Sequence, residues 1–342
     1  MDKAFKNIFE KLENSKQEPL KRNDRVLLID SLNTFLRSFV VVHHLNPAGN
    51  HVGGLTGFLR SLGHAIEVVN PTRVILVFDG EGGSTNKRYL YPEYKANRHL
   101  KKISNWDAFD NQEEESDAIT NQIVRLIAYL KCLPVDIIVE DKIEADDVIG
   151  YITKVLRGEV FIMSTDKDYI QLVNDKTTVY SPSKKKFYNP KTTKEELDLP
   201  PVNYLNMKVL TGDSGDNVPG IKGFGNKTVV KLFPFLQEDR KVPLEEIIKY
   251  SEENEKKSVS YGKVLNFKNQ LLINEKLMDL HDPNIPDNSI QTIKETLVNP
   301  KETMDRKRFL QLYEEDQLEN SISNVEIWLF DKFERLRHYS VR

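Results

Sequence analysis

The chain has 342 residues, 30% of them charged, with a formal net charge of −3. That fits one large or two ordinary soluble domains and excludes a strongly basic protein. No apolar run approaches the ~18 residues a membrane helix needs, and Met1-Asp2-Lys3 opens without a signal core, so a cytoplasmic protein with no membrane contact is expected, and it is taken to be a monomer. The single cysteine, Cys132 beside Leu130 and Leu133, excludes an internal disulfide and reads as a small core residue.

Residues 1–24 are polar except for Phe5, Ile8, Phe9 and Leu12, which share one helical face, and form an N-terminal extension. A strand is predicted at 26–29, a helix at 55–70 before Pro71, and a second strand at 74–78. A long polar segment, 80–118, starts at Gly80-Glu81-Gly82-Gly83-Ser84, turns aromatic and basic, and ends in Glu113-Glu114-Glu115. Such length inside an alternating domain marks function or mobility. A helix at 117–131 precedes a strand at 135–139, another helix begins near Ala145, and a strand follows at 160–163. This alternation predicts an α/β fold over 25–200, a mostly parallel twisted sheet with helices on both faces. Residues 179–188 read as a hairpin, and Pro200-Pro201 marks a boundary. Beyond it lie a smaller helical region, 201–300, and a helical tail, 301–342. In the tail Ile322, Val325, Ile327, Trp328, Leu329, Phe330 and Phe333 are expected to pack on the body, with docking to a sliding clamp or single-strand binding protein as the competing use.

Acids recur where these strands end: Asp30, Asp79, then Glu144, Asp146 and Asp147, then Asp166 and Asp168. Asp213 and Asp216 join them from a glycine-rich turn. Singly, each has a structural explanation; Asp30 could simply cap a helix. Together, strands of one parallel sheet would bring them to one edge, where like charges repel unless cations lie between. With no histidine or cysteine in these motifs, oxygen-only ligands select hard ions, Mg²⁺ with Mn²⁺ as substitute, and disfavour zinc. Two such ions could clamp the attacking and leaving oxygens of a phosphoryl displacement. With these nine acids set aside, the remainder of the molecule is net positive, compatible with a phosphodiester substrate.

The turn at 212–228 carries Gly220, Gly223 and Gly225, which would let backbone approach a ligand. Lys222 and Lys227 add charge, and a helix starting near Asn226 or Lys227, with Thr228, would present amides to a phosphate. Between 83 and 102 six basic residues, Lys87, Arg88, Lys95, Arg98, Lys101 and Lys102, stand against Glu93 alone, interleaved with Tyr89, Tyr91 and Tyr94. Basic groups track phosphates and aromatic rings stack on bases; an exposed charged helix is the plainer alternative.

Ile29-Asp30, Val77-Phe78-Asp79-Gly80, Tyr94-Lys95-Ala96-Asn97-Arg98, Glu144-Ala145-Asp146-Asp147, the stretch from Ser164 to Leu172 and the turn at 212–225 together resemble the 5′-nuclease superfamily: flap endonucleases, polymerase-linked 5′→3′ exonucleases and phage 5′ nucleases. The order and spacing agree over about 25–235, closest in flavour to the ribonuclease H of T-even-like phages. The resemblance implies a PIN-like core with a helix-three-turn-helix region that binds duplex phosphates with a K⁺ ion. It implies one metal on Asp30, Asp79, Glu144 and Asp146, and another on Asp166, Asp168 and Asp213, with Asp146 between them. Asp147 and Asp216 would be outer members of the cluster. Asp146 and Asp147, with Lys95 and Arg98 steering the scissile phosphate, would be catalytic, and the segment at about 83–118 would form an arch with Arg88 and Tyr94 on DNA. Lys167 stands where relatives often have glycine and is expected to face solvent. The implied activity is structure-specific 5′→3′ exonuclease and flap endonuclease cleavage of DNA and RNA–DNA duplexes, removing primers in replication, in a host's cytoplasm if phage-encoded. A non-catalytic DNA-binding protein of the same fold is the alternative.

Overall fold

Apolar runs that leave water on both faces pair as parallel strands. In β1 (Arg25–Asp30), Val26 and Leu28 enter one core and Leu27 and Ile29 the other, all 0% exposed. The computed structural model describes residues 20–98, 102–104 and 106–339. In chain order β1 is followed by α1 (Ser31–Val41), α2 (Gly53–Val69), β2 (Arg73–Asp79), α3 (Thr85–Leu90), α4 (Gln112–Lys131), β3 (Asp136–Glu140), α5 (Ala145–Val155), β4 (Glu159–Met163), β5 (Thr177–Ser181) and β6 (Lys186–Tyr188). Helices then dominate: α6 (Pro190–Leu197), α7 (Tyr204–Thr211), α8 (Asn226–Leu232), α9 (Leu244–Asn254), α10 (Val259–Asn266), α11 (Lys268–Met278), α12 (Asp287–Val298), α13 (Arg306–Glu315) and α14 (Val325–Phe333).

The sheet order is β3-β2-β1-β4-β5-β6, parallel except for the β5–β6 hairpin. The chain steps from β1 to β2 and β3 on one side, then returns to β4 on the other. The strand order therefore reverses beside β1, and a crevice opens at the C-terminal ends of β1 and β4.

Helices α1, α2, α4, α13 and α14 cover the Leu27 face of the sheet, and α5 with α7 to α12 covers the Val26 face. The tail packs as expected: Leu329 and Phe333 are fully buried, while Ile327 and Phe330 stay 56% and 58% exposed. At the opposite edge of the sheet from the crevice, the buried Arg73 donates through Nε to Asp136 at 2.7 Å and through its terminal nitrogens to the carbonyls of Leu297 and Thr296, both at 2.8 Å, tying β2 and β3 to α12.

The expected strands shift by one residue at most, but two helix starts move further. Helix α2 starts two residues before the predicted 55. Helix α4 starts at Gln112 rather than 117, because the Asn111 side chain accepts from Glu114 N at 2.9 Å and Glu113, Glu114 and Glu115 suit the positive end of the helix. The acidic end of the long polar segment is thus helix. Phe5, Ile8, Phe9, Leu12 and Lys101 lie outside the described residues.

Candidate active site

The acids converge because the elements that carry them end on one rim. Asp30 closes β1 and Asp79 closes β2; Glu144, Asp146 and Asp147 open α5 after β3; Asp166 and Asp168 follow β4. Asp213 and Asp216 arrive from the loop after α7. Asp30, Asp79, Glu144, Asp146, Asp166, Asp168 and Asp216 line one cleft of about 160 Å³ together with Lys95 and Arg98. Asp213 lines an adjoining hollow with Asp146, Asp168 and Asp216, and Asp147 sits beside Lys87 at 3.1 Å.

Asp30 does cap a helix, but with half its carboxylate. Oδ1 accepts from Asn33 N at 3.3 Å, while Oδ2 accepts from Ser164 Oγ at 3.1 Å and Tyr169 OH at 3.2 Å. Burial and the charge of Asp79 push the Asp30 carboxyl up to about 7. Glu144 occupies the N-cap position of α5 without capping it, which frees its carboxylate. Burial opposes the ionisation of Glu144, yet the ammonium groups of Lys87 and Lys95 outweigh it and hold the carboxyl below its usual range. Burial raises Asp147 and, with the charge of Asp166 added, Asp168.

Besides Lys95, two lysines stand inside the acid nest. Lys87 Nζ lies 2.7 Å from Glu144, 3.1 Å from Asp147 and 3.4 Å from Asp146. Lys208, on α7, bridges Asp168 at 2.8 Å and Asp213 at 2.5 Å. Neither was a sequence candidate for the site. In the sequence Lys87 reads only as arch charge, and Lys208 precedes Asp213 by about one and a half helical turns, a spacing with no metal signature. Lys167 is exposed, as expected.

The arch base differs from expectation at Tyr94. Its ring is 3% exposed and cannot stack on a base in this arrangement. Its hydroxyl instead lies 2.9 Å from Glu144 and 3.2 Å from Asp216. Lys95 pairs with Glu144, and Arg98 with Asp216. Arg88 reaches back to the Tyr94 carbonyl at 3.2 Å.

In the turn, Lys222, Gly223, Gly225 and Lys227 are exposed, Thr228 is half-buried, and α8 begins at Asn226 as predicted. Gly223 has φ +88°, the left-handed region that favours glycine. Gly220 serves its own chain rather than a ligand: a Cβ there would lie 1.9 Å from the Thr211 carbonyl oxygen. Gly220→Ala is therefore expected to cost about 1–3 kcal/mol and to weaken duplex binding, measured by denaturant unfolding and duplex titration. Gly225→Ala, with nothing within 4 Å of its Cβ position, should leave stability unchanged.

The donor set fits divalent cations. Among the described residues, Glu144, Asp146 and Asp147 each offer a carboxylate oxygen within 4.8 Å of the others. A cationic ammonium already sits among these three, so the nest is built to hold positive charge.

Residues 25–198 match the family model described as the 5′-3′ exonuclease, N-terminal resolvase-like domain. The chain belongs to the 5′-3′ exonuclease family. As a member it is a nuclease, a hydrolase of phosphodiesters. A 5′-3′ exonuclease of Bacillus subtilis (strain 168) is 32% identical over 221 residues, covering 61% of this chain and 70% of the relative. DNA polymerase I of the same organism is 31% identical over 261 residues, 74% of this chain but 27% of the polymerase. The chain thus spans about a quarter of such polymerases. The bacteriophage T5 flap endonuclease, solved with DNA and metal ions, shares the fold at TM-score 0.61 and 19% identity, covering 79% of this chain and 98% of that one. T5 5′-exonuclease with bound zinc superposes at TM-score 0.59 and 18% identity, over 87% and 99% of the two chains. No helix among the described residues is long and apolar enough to cross a membrane.

Proposed function

We propose that this 5′-3′ exonuclease family member is a structure-specific 5′→3′ exonuclease and flap endonuclease that uses two divalent ions on DNA and RNA–DNA duplexes, with removal of RNA primers or 5′ flaps as its task. The observation that carries this reading is the convergence of seven acids from separate segments on one cleft, with Asp213 in the adjoining hollow and Lys87 held among Glu144, Asp146 and Asp147.

Asp30, Asp79, Glu144 and Asp146 would hold one ion and Asp166, Asp168 and Asp213 the other, with Asp146 shared and Asp147 and Asp216 orienting the cluster from outside. Magnesium is the proposed ion, and manganese would substitute. When bound, such a pair lowers the pKa of a water molecule and stabilises charge on the leaving oxygen. The chain's own cations position the substrate. Lys95 and Arg98, now paired with Glu144 and Asp216, would exchange those partners for the scissile phosphate. The exposed turn carrying Lys222, Gly223, Gly225, Lys227 and Thr228 would hold the duplex backbone, with a K⁺ ion on its carbonyls, and fix how far the 5′ end reaches into the cleft.

Product mapping on a 5′-labelled flap and on an RNA-primed duplex tests the reading. In Mg²⁺ the expected products are short 5′ fragments, leaving a 5′ phosphate on the downstream strand, and a chelator should abolish them. Cleavage that persists in chelator, or cuts confined to single-stranded RNA, would overturn the proposal.

A further inference from the structure

The arch base and the loop that carries Asp213 and Asp216 are hydrogen-bonded into one unit. We propose that Asn217 is a positioning residue for Lys95 and Arg98, locking the arch base in the conformation that aims both cations into the cleft. The inference deepens the reading above and rests on it for the role of those cations.

Three bonds to backbone carbonyls join the two segments, in addition to the Tyr94 and Arg98 contacts with the Asp216 side chain. Asn217 Nδ2 donates to the Glu93 carbonyl at 2.8 Å, Lys95 N donates to the Asp216 carbonyl at 2.8 Å, and Asn97 Nδ2 donates to the Ser214 carbonyl at 3.0 Å. The first two grip the backbone on either side of Tyr94. What they grip is strained, because Lys95 has φ +56°, a left-handed conformation that side-chain-bearing residues adopt only where their surroundings impose it. Released from the loop, Lys95 would return to negative φ. Its ammonium would then leave Glu144, and the two-residue span to Arg98 would lose its pairing with Asp216.

Asn217 is suited to this task. It too is left-handed, at φ +59°, which asparagine tolerates better than most residues. It sits in a loop closed by the reciprocal Asp213–Val218 backbone pair at 2.8 and 2.7 Å. The loop is therefore held from below, and the side-chain amide is free to reach across to Glu93. The same loop leads directly into the turn at Gly220. Duplex held at the turn and phosphate held by the arch base would thus share one frame.

The test uses two variants of the full chain. Asn217→Gly keeps the left-handed backbone without steric cost and removes only the amide. Asn217→Asp keeps the shape but turns a carboxylate oxygen toward the Glu93 carbonyl. In Asn217→Gly the Lys95 amide, measured by hydrogen exchange without substrate, should exchange about fivefold to tenfold faster, as loss of one hydrogen bond implies. Single-turnover cleavage at saturating enzyme should fall by a similar factor, with duplex affinity in chelator and the melting temperature unchanged. Asn217→Asp should fall further on both readouts. Unchanged Lys95 exchange in both variants would overturn the proposal, as would a cleavage loss matched by an equal loss of duplex affinity. If the wild-type chain cleaves nothing, the functional reading fails by itself, and the exchange measurement still decides whether Asn217 holds Lys95.

Discussion

Asp146→Asn should abolish turnover in Mg²⁺ while leaving duplex binding measurable. The substitution preserves size, and the amide oxygen can still accept the Asp147 backbone N–H that Oδ1 now accepts at 2.7 Å. What it removes is one negative charge at the centre of the nest, where Asp146 lines both the main cleft and the adjoining hollow with Asp168 and Asp213. If Asp146 is shared between two ions, as proposed, its loss weakens both. Metal assistance supplies several kcal/mol of transition-state stabilisation, so the single-turnover rate should drop by roughly a thousandfold or more. Duplex binding, proposed above to lie with the exposed turn at 222–228, should change by no more than about threefold, since Asp146 is not part of that turn and exposed contacts are screened. A variant that cleaves a 5′ flap within tenfold of the wild-type rate would refute the role assigned to Asp146.

The largest expected loss of stability lies at the other end of the sheet. Asp136→Ala should destabilise the fold by about 3–5 kcal/mol, because it strands a buried guanidinium. Arg73 and Asp136 have side chains only 1% and 4% exposed, and Asp136 also accepts the Lys301 backbone N–H at 2.8 Å. A loss of that size is a large share of the ~5–15 kcal/mol that holds a domain together. The double variant Arg73→Met/Asp136→Leu removes the unpaired charge but also takes the partners of the Leu297 and Thr296 carbonyls and of the Lys301 N–H, so it should recover only part of the loss. Urea unfolding of the single and double variants decides the point, and a single variant within 1 kcal/mol of wild type would show that the pair is not the tie it resembles.

Much of the architecture was legible from residue order. The strands at 26–29, 74–78 and 160–163 could be read because a strand buried on both faces must be apolar throughout. The acids could be read because each stands at the end of such a run. The hairpin at 179–188 and the start of α8 were likewise local signals. The start of α4 was not, because its cap at Asn111 competed with a long polar segment that has no apolar period of its own. Tyr94 was misread because a tyrosine among lysines has the same composition whether its ring faces a base or the hidden side of an arch. Gly220 was read as a ligand-facing glycine, although its constraint comes from Thr211, nine positions earlier and folded back on it.

By itself, then, the order of residues determined most of the elements, that their carboxylates form a donor set suited to hard cations, and which family the chain resembles. These follow from neighbours along the chain, where periodicity and end signals act. Only the tertiary structure decided that Lys87 and Lys208 pair with five acids of the nest, that Tyr94 bridges Glu144 and Asp216, and that Asn217 reaches the Glu93 carbonyl. Each of these contacts joins groups on different elements, and its strength depends on distance and burial in the folded chain, which the spacing of residues does not encode.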